Sequence, residues 1–413
     1  MADVSAVTGD GPSVYEIFAD YRTMVDPYPL YRRVLAERPV DSTGGPLVLT
    51  RYDDVAAALR HPGLSADDRR DSMYRAMVEA GTVTADTAAL VDRRSLLHRD
   101  PPDHTRLRGV FDEALSSVPL DDVAAVAQRF VDDAVDRVAE RGHLDVVADL
   151  AYPLPLHVVC RLLGVDPRDH VDAPWWRSQL CADFEAPAVA EAGCVDYSKT
   201  VQAQLVAYFD KILAERPPRG PFPAALLTAH DRGTLSADEV NDCCRLLLVS
   251  GHETTTCLIA NGVLALLRHP DQWRLLSERP DLAAPAVDEV IRFDAPVQFT
   301  RRVAATDVEV NGVPIAAGQL VLIWLAPADR DAARFVEPDR FDITRRAEHV
   351  GFGAGIHACP GTAIARVQAE ITLRTLCRRL VGPVLAAEPP PYLPSAVHAV
   401  KELRVEVAGT RPR

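Results

Sequence analysis

The sequence predicts a mainly α-helical fold with a smaller β part, an α+β class. Apolar residues recur at helical spacing from about residue 55 to 292, for example over 123–138. β-branched residues instead concentrate at 300–325, where Asn311-Gly312 separates two short apolar runs. Asn-Gly between such runs is the pair that most favours a tight hairpin, so the β part is expected in the second half of the chain.

The elements follow in order along the chain. Residues 47–50 predict an early strand, and periodic apolar residues predict a helix over 201–213. Ser236 and Glu239 form a capping box, which opens a long apolar helix that runs to Leu266. A last helix is expected over 362–380, directly after a glycine-rich loop.

Composition limits the function classes. The chain has 413 residues, of which 48% are hydrophobic and 25% charged. Its net charge of −14 argues against a nucleic-acid partner, because nucleic acids are themselves negatively charged. No run of 18 apolar residues and no signal-peptide pattern occurs, so we expect no membrane insertion and a cytoplasmic location. The eight cysteines include no C-x-x-C, which argues against a disulfide framework or a zinc site.

The glycine-rich loop is the most informative segment. Residues 351–361 read Gly-Phe-Gly-Ala-Gly-Ile-His-Ala-Cys-Pro-Gly. Its glycines let the backbone approach a flat partner, and Pro360 suits a first helical turn, which places Cys359 where the helix dipole favours a thiolate. A sheltered thiolate facing a planar group indicates an axial ligand of haem iron. Taken alone, the loop also fits a buried structural cysteine.

The centre of the long helix breaks its apolar pattern. Ser250-Gly251-His252-Glu253-Thr254 combines poor helix formers with a carboxylate that a buried helix would not carry without a function. A hydroxyl and a carboxylate in a dry pocket can relay protons to a reacting oxygen. A zinc-protease helix is excluded because no second histidine follows at the H-E-x-x-H spacing.

The loop resembles the haem-binding loop of the cytochrome P450 monooxygenases, in the pattern Phe352-Gly353-x-Gly355-x-His357-x-Cys359-x-Gly361. Further motifs resemble those of the same family and occur in the same order along the chain. The resemblance implies the cytochrome P450 fold: a single triangular domain over 15–405 with a long central helix, a flexible N-terminus at 1–14 and a tail at 406–413. It implies Cys359 as the iron ligand and Phe352, Gly353, His357 and Gly361 as further haem-binding residues. Ala-Asp329-Arg330-Asp replaces a usual Ala-Asn-Arg-Asp, a minor departure.

The resemblance also implies roles outside the loop. Glu253 and Thr254 match the proton-relay pair, with Ser250 in place of a commoner alanine. His104 and Arg108, at i and i+4, and Arg302 match the residues that hold the haem propionates. Glu289 and Arg292 match a structural E-x-x-R motif with Arg340 as third partner. The substrate pocket is expected from 73–97, 175–184 and 391–397 and from Leu247, Ser250, Val297, Gln298 and Thr300.

The implied activity is oxygen insertion by a soluble bacterial enzyme that holds haem b and uses O2. Electrons would come from NAD(P)H through ferredoxin and ferredoxin reductase, which would dock on Arg345, Arg346, Arg366 and Arg378. The expected substrate is an apolar small molecule of secondary metabolism, free or tethered to a carrier protein. Oxidative coupling, rearrangement or peroxide-driven oxidation is the alternative, and a non-catalytic haem sensor leaves Glu253 and Thr254 unexplained.

Overall fold

The computed structural model describes residues 26–36, 40–41, 46–81, 96–169, 192–215, 217–346, 348–392 and 397–413. The predicted flexible segment 1–14 lies outside them. Within the described residues, no helix has the length and apolar character that a membrane crossing needs.

Helices dominate the described residues. They are α1 (Tyr28–Ala36), α2 (Tyr52–Arg60), α3 (Ser72–Glu79), α4 (Asp103–Ser116), α5 (Leu120–Arg141), α6 (Pro153–Leu163), α7 (Ala192–Leu213), α8 (Pro221–Asp231), α9 (Ala237–Ser250), α10 (Glu253–Arg268), α11 (Pro270–Glu278), α12 (Ala283–Phe293), α13 (Leu325–Ala328) and α14 (Thr362–Arg379). The main apolar core lies where α14 packs against α5, α10, α11 and α12. This core supports the segment that precedes α14, which is the cysteine loop.

The strands are short and form a smaller part of the fold. They are β1 (Val40–Asp41), β2 (Leu47–Leu49), β3 (Leu64–Ser65), β4 (His143–Asp145), β5 (Phe299–Ala304), β6 (Val308–Val310), β7 (Val313–Ile315), β8 (Leu320–Trp324), β9 (Leu380–Val381), β10 (Val384–Leu385), β11 (Arg404–Glu406) and β12 (Gly409–Thr410). The largest sheet has the order β1-β2-β8-β5-β3, in which β2 and β8 are parallel. The predicted mainly α fold with a smaller β part is confirmed.

The predicted hairpin forms between β6 and β7, with Val310 opposite Val313. Asn311 and Gly312 both have positive φ, 49° and 84°, as a two-residue type I′ turn requires.

Two expectations need correction. The predicted single helix from Ser236 to Leu266 is two helices, α9 and α10, which separate at Gly251 and His252. The segment 406–413, predicted to be a tail, is part of the fold: Gly409 and Thr410 pair with β9, and Arg413 forms ion pairs with α5. Edge pairing of this kind needs only two residues, too few for a periodic sequence pattern to show.

Candidate functional site

The cysteine loop and the α9–α10 break line one cavity of about 250 Å³. Cys359, Phe352 and Gly353 line it from the loop, and Thr254 and Ser250 line it from the helices. The remaining lining is mostly leucine, valine and other apolar side chains. An enclosed apolar site with few polar groups is the usual form of a small-molecule or cofactor site.

The loop holds Cys359 in a fixed place. The Cys359 N–H donates to the Phe352 carbonyl oxygen at 2.9 Å, and the Thr362 hydroxyl donates to the Cys359 carbonyl oxygen at 2.8 Å. Gly355 has φ +71° and a Cβ there would lie 2.5 Å from the Leu59 carbonyl oxygen, so this turn requires glycine. Cys359 is exposed, and it is one of the residues that line the cavity.

The thiol environment suits a metal-bound sulfur better than a free thiolate. Burial raises the pKa of Cys359, and hydrogen bonds from the Gly361 N–H and the Thr362 hydroxyl oppose that rise only in part. A thiol without metal is therefore protonated at neutral pH, whereas a coordinated metal ion removes the proton outright. Gly361 leaves the space beside the sulfur open, since a Cβ there would lie 4.0 Å from Sγ.

A group of nitrogen-bearing side chains lies at and behind the wall of the same cavity. His357, Arg302 and Arg108 line it, and the buried His104 ring, which does not line it, packs against the His357 ring with centroids 4.2 Å apart. Among described residues, neither ring nitrogen of His104 nor Nδ1 of His357 has a hydrogen-bond partner. Arg302 is 7% exposed and its guanidinium donates to the Arg301 carbonyl oxygen at 2.7 Å, with no carboxylate partner in the described part of the chain.

The electrostatics of this group favour an anion. Burial, followed by the charge of Arg302, lowers the pKa of His357 to about 3, and burial lowers the pKa of His104. Burial also lowers the pKa of Arg302 to about 10. Carboxylates placed here would satisfy the unpaired donors and oppose the mutual repulsion of the cations. The donor set and the thiol of the same cavity therefore fit haem, which carries two propionates. Arg108 also donates to Asp112 at 2.8 Å and to the Ile356 carbonyl oxygen at 3.0 Å.

The break between α9 and α10 places the acid and the alcohol. The Thr254 hydroxyl donates to the Ser250 carbonyl oxygen at 3.0 Å, and the Ser250 hydroxyl donates to the Leu246 carbonyl oxygen at 2.6 Å. Such back-bonding competes with the regular helix ladder, and α10 begins only at Glu253. Glu253 is 9% exposed and Thr254 lines the cavity.

Packing fixes the position of the break. A Cβ on Gly251 would lie 2.6 Å from the Leu247 carbonyl oxygen and 2.9 Å from a Val159 methyl group. His252 is buried, and its Nε2 lies 2.9 Å from the Tyr152 carbonyl oxygen, which makes it a structural residue.

The residues expected to line the substrate pocket divide into two groups. Leu247, Ser250, Val297 and Thr300 line the cavity, whereas Gln298 does not. The Gln298 side chain points into the core, where it accepts a hydrogen bond from the Tyr31 hydroxyl and donates to the Ala295 carbonyl oxygen. The other residues from Pro296 to Arg302 line the cavity, so Gln298 alone in this run is turned into the core by its two hydrogen bonds.

Other parts of the expected pocket lie outside the described residues. These are 82–95 within the expected 73–97 segment, the whole of 175–184, and 393–396 near the C-terminus. Leu96 and Leu97 do line the cavity, together with His98.

The E-x-x-R motif is a buried ion pair, but its third partner differs from the expected one. Glu289 and Arg292 meet at 2.7 Å, and both side chains are 1% exposed. Arg345 completes the group at 3.3 Å from Glu289. Arg340 offers only its carbonyl oxygen to Arg292, and its side chain is 58% exposed and pairs with Glu337. The sequence contains both arginines close together, and it does not show which one faces inward.

The same network is hydrogen-bonded to the start of the cysteine loop through Asp329, the residue that stands where the family usually has asparagine. Arg292 donates to the Asp329 carbonyl oxygen at 2.9 Å, and the Val350 N–H donates to Asp329 Oδ1 at 2.8 Å. Asp329 is fully buried, and its Oδ2 has no partner among the described residues. Burial raises the pKa of Asp329 to about 7.

Several arginines form ion pairs within the fold. Arg345 is bonded to Glu289, and Arg366 forms an ion pair with Asp288 at 2.6 Å. Arg301 is 8% exposed and pairs with Asp68, and Arg106 pairs with Glu239 at 2.6 Å. Arg345 and Arg366 are therefore not the free docking charges that the sequence analysis expected, because charge count along a sequence does not show which carboxylates lie opposite.

Comparisons with known proteins show the family and the fold of this chain. The Cytochrome P450 family model matches residues 193–381. The chain is 36% identical over 385 residues to "Vitamin D(3) 25-hydroxylase" of Pseudonocardia autotrophica, with 90% of each chain covered. The ligand-free crystal structure of CYP164A2 from Mycobacterium smegmatis superposes with a TM-score of 0.86 at 31% identity, over 95% of this chain and 99% of the other. P450BioI, solved in complex with an acyl carrier protein ligated to hexadec-9Z-enoic acid, superposes with a TM-score of 0.84 at 30% identity, over 94% and 99%.

Proposed function

This chain belongs to the cytochrome P450 family of haem monooxygenases, and from that premise we propose that it inserts one oxygen atom of O2 into a C–H or C=C bond of an apolar small molecule. For a C–H bond the balance is substrate, O2, two electrons and two protons giving an alcohol and water. The observation that carries the proposal is that a loop cysteine and a helix-break threonine line one apolar cavity.

Haem held through Cys359 would supply the activation of O2 and the transfer of one oxygen atom. The chain's own part begins with binding: His104, Arg108, Arg302 and His357 would hold the two propionates, which the unpaired nitrogens at and behind that wall of the cavity support. Phe352, Gly353 and Gly361 would keep the loop close to the flat face of the ring.

Glu253 and Thr254 would manage the protons. The Thr254 hydroxyl is held to the Ser250 carbonyl at the cavity wall, so its oxygen can accept a hydrogen bond from a water there. Glu253 is adjacent and nearly buried, so it can pass a proton between outside water and that hydroxyl. The apolar walls exclude other water, which limits loss of electrons to unproductive reduction of O2.

The electron donors are proposed as ferredoxin and its NAD(P)H-dependent reductase, in a cytoplasmic setting. Arg346 is exposed and no ion pair involving it occurs within the described residues, so it is a better docking candidate than Arg345 or Arg366. The substrate is proposed as a largely apolar intermediate of secondary metabolism, free or carrier-bound. The apolar cavity supports this, and so do relatives that by name act on vitamin D(3) or bind an acyl carrier protein.

The first experiment is the optical spectrum of the dithionite-reduced protein with carbon monoxide, for wild type and Cys359→His. A far red-shifted Soret band in wild type, lost in the variant, supports thiolate ligation. An ordinary haem–CO band in folded wild type would refute it. Turnover with ferredoxin, reductase and NAD(P)H then separates oxygen insertion from the alternative, because coupling, rearrangement or peroxide-driven products would carry no oxygen from 18O2.

A further inference from the structure

A second concave site lies away from the cysteine cavity, where α5, α14 and the C-terminal residues meet. It has a volume of about 190 Å³, and its lining includes Arg374, Arg378, Arg379 and Arg413 together with Gln128 and Thr375. Arg374 and Arg378 follow Thr362, the first residue of α14, by 12 and 16 residues, which is about 18–24 Å along the helix. We call this site the arginine pocket.

Two of these arginines are neutralised by aspartates of α5. Arg379 is bonded to Asp132 at 2.8 Å and to Asp136 at 2.6 Å, and its side chain is 5% exposed. Arg413 is bonded to Asp133 and Asp136, both at 2.6 Å. Asp132 is the one carboxylate in the described lining of the pocket, and its ion pair with Arg379 offsets its charge.

The other two arginines, Arg374 and Arg378, are not neutralised in this way. Arg374 donates to the Gln128 amide oxygen at 3.3 Å, and within the described residues neither Arg374 nor Arg378 has a carboxylate at ion-pair distance. The charge of Arg374 acts on Glu370, one turn earlier, without an ion pair between them. Arg374 and Arg378 are themselves one turn apart on α14, and like charges at that spacing destabilise a helix.

We propose that the arginine pocket binds a phosphate-type oxyanion, either free phosphate or the phosphoryl group of a small metabolite. Each guanidinium group is a planar fork of N–H donors, which matches phosphoryl oxygens in geometry and charge, and Arg374 and Arg378 both line the pocket. Thr375 Oγ1 accepts from the Gln128 amide at 3.1 Å, which leaves its own hydroxyl proton to donate. A concave site of this size favours a compact tetrahedral anion over an extended acidic surface.

Binding would stabilise the native protein, since an unfolded chain does not hold the two arginines together. The bound anion would remove the repulsion between Arg374 and Arg378 in the last two turns of α14. The same turns support the C-terminal residues, because Arg379 also donates to the Arg411 carbonyl oxygen at 3.1 Å. Hydrogen-exchange protection of 404–413 should therefore rise with phosphate.

The test uses the haem-loaded enzyme, titrated with inorganic phosphate and, separately, with glycerol 3-phosphate, against sodium chloride at equal ionic strength. Calorimetry gives the Kd, and thermal unfolding gives the Tm. At about 100 times the Kd we expect the wild-type Tm to rise by about 3–5 °C. In the double variant R374Q/R378Q we expect the Kd to weaken at least 10-fold and the specific rise in Tm to disappear.

The control R232Q/R274Q removes two exposed arginines elsewhere and should bind like wild type. It also corrects for the general stabilising effect of phosphate as a salt. Equal binding by wild type and R374Q/R378Q would overturn the proposal, and so would no binding by wild type. Tighter binding of glycerol 3-phosphate than of inorganic phosphate would identify a metabolite ester as the occupant, and the reverse order would identify free phosphate. The CO spectrum should be the same in all variants, so the outcome is independent of the cysteine site.

Discussion

Replacing Asp329 by asparagine should change how the stability of the protein depends on pH. The carboxyl is fully buried, its Oδ1 accepts from the Val350 N–H, and burial raises its pKa from 3.8 to about 7. The charges that act on it come from His349 and Arg292, which oppose the rise without cancelling it. The carboxyl is therefore largely protonated in the folded protein below pH 7.

The sign follows from proton linkage. Between about pH 4 and pH 7 the unfolded chain loses this proton while the folded protein keeps it, so the stability falls as pH rises through that range. The fall is about 1.4 kcal/mol per pH unit and sums to about 4 kcal/mol over the roughly three units between the two pKa values. Above pH 7 both states are ionised, and the penalty stays constant.

Asp329→Asn removes the ionisation but keeps an oxygen that can accept from the Val350 N–H. Its amide NH2 would stand where Oδ2 has no partner among the described residues, which costs about 1–3 kcal/mol. Above pH 7 the variant should therefore be more stable than wild type by about 1–3 kcal/mol, and near pH 4–5 it should be less stable.

The assay is urea unfolding of the haem-loaded protein at pH 5, 6, 7 and 8, with Asp231→Asn at an exposed position as the control. The difference in free energy of unfolding between Asp329→Asn and wild type should change steadily from pH 5 to pH 7 and level off above. A difference that stays constant from pH 5 to pH 8 would refute the reasoning, because it would show that Asp329 does not titrate in this range. The control should follow wild type.

Three further predictions address the site and its support. Arg345→Ala should lower the free energy of unfolding by about 2–3 kcal/mol, because it removes a partner of buried Glu289. Arg340→Ala should lower it by under about 1 kcal/mol, since its ion pair is exposed. Equal losses in urea unfolding would contradict the assignment of Arg345 as third partner. Thr254→Ala should still bind substrate but divert most electrons to reduced oxygen species, measured as NAD(P)H consumed without product. Thr256→Ala is the control. If Thr254→Ala couples NAD(P)H consumption to product formation as well as wild type does, Thr254 has no proton-transfer role. Arg302→Gln should release haem at least 10-fold faster to an apo-globin acceptor, since it removes the buried cation that we propose pairs with a propionate. A release rate equal to wild type would exclude Arg302 as a propionate partner.

Local patterns allowed much of the fold to be predicted. Asn311-Gly312 could be read as a turn because only a few residue pairs tolerate positive φ at both positions. The helices follow from apolar periodicity, and Thr362–Arg379 forms a helix close to its expected bounds. The poor helix formers at 250–254 marked the place, but the break at Gly251 was not predicted, since it depends on packing against Val159, which becomes a neighbour only in the folded chain.

The residues that were misplaced share a physical cause. Arg340 and Arg345 are arginines five residues apart, and the sequence does not show which of the two side chains reaches Glu289. Asp329 looks like a harmless replacement of asparagine until its burial is known. The carboxyl then holds the cysteine loop at the Val350 N–H while its own ionisation opposes the buried position. A neutral amide would make the same contact without a titrating group. With aspartate, the stability of the protein depends on pH through a residue that is bonded to Val350, directly before the loop that carries Cys359.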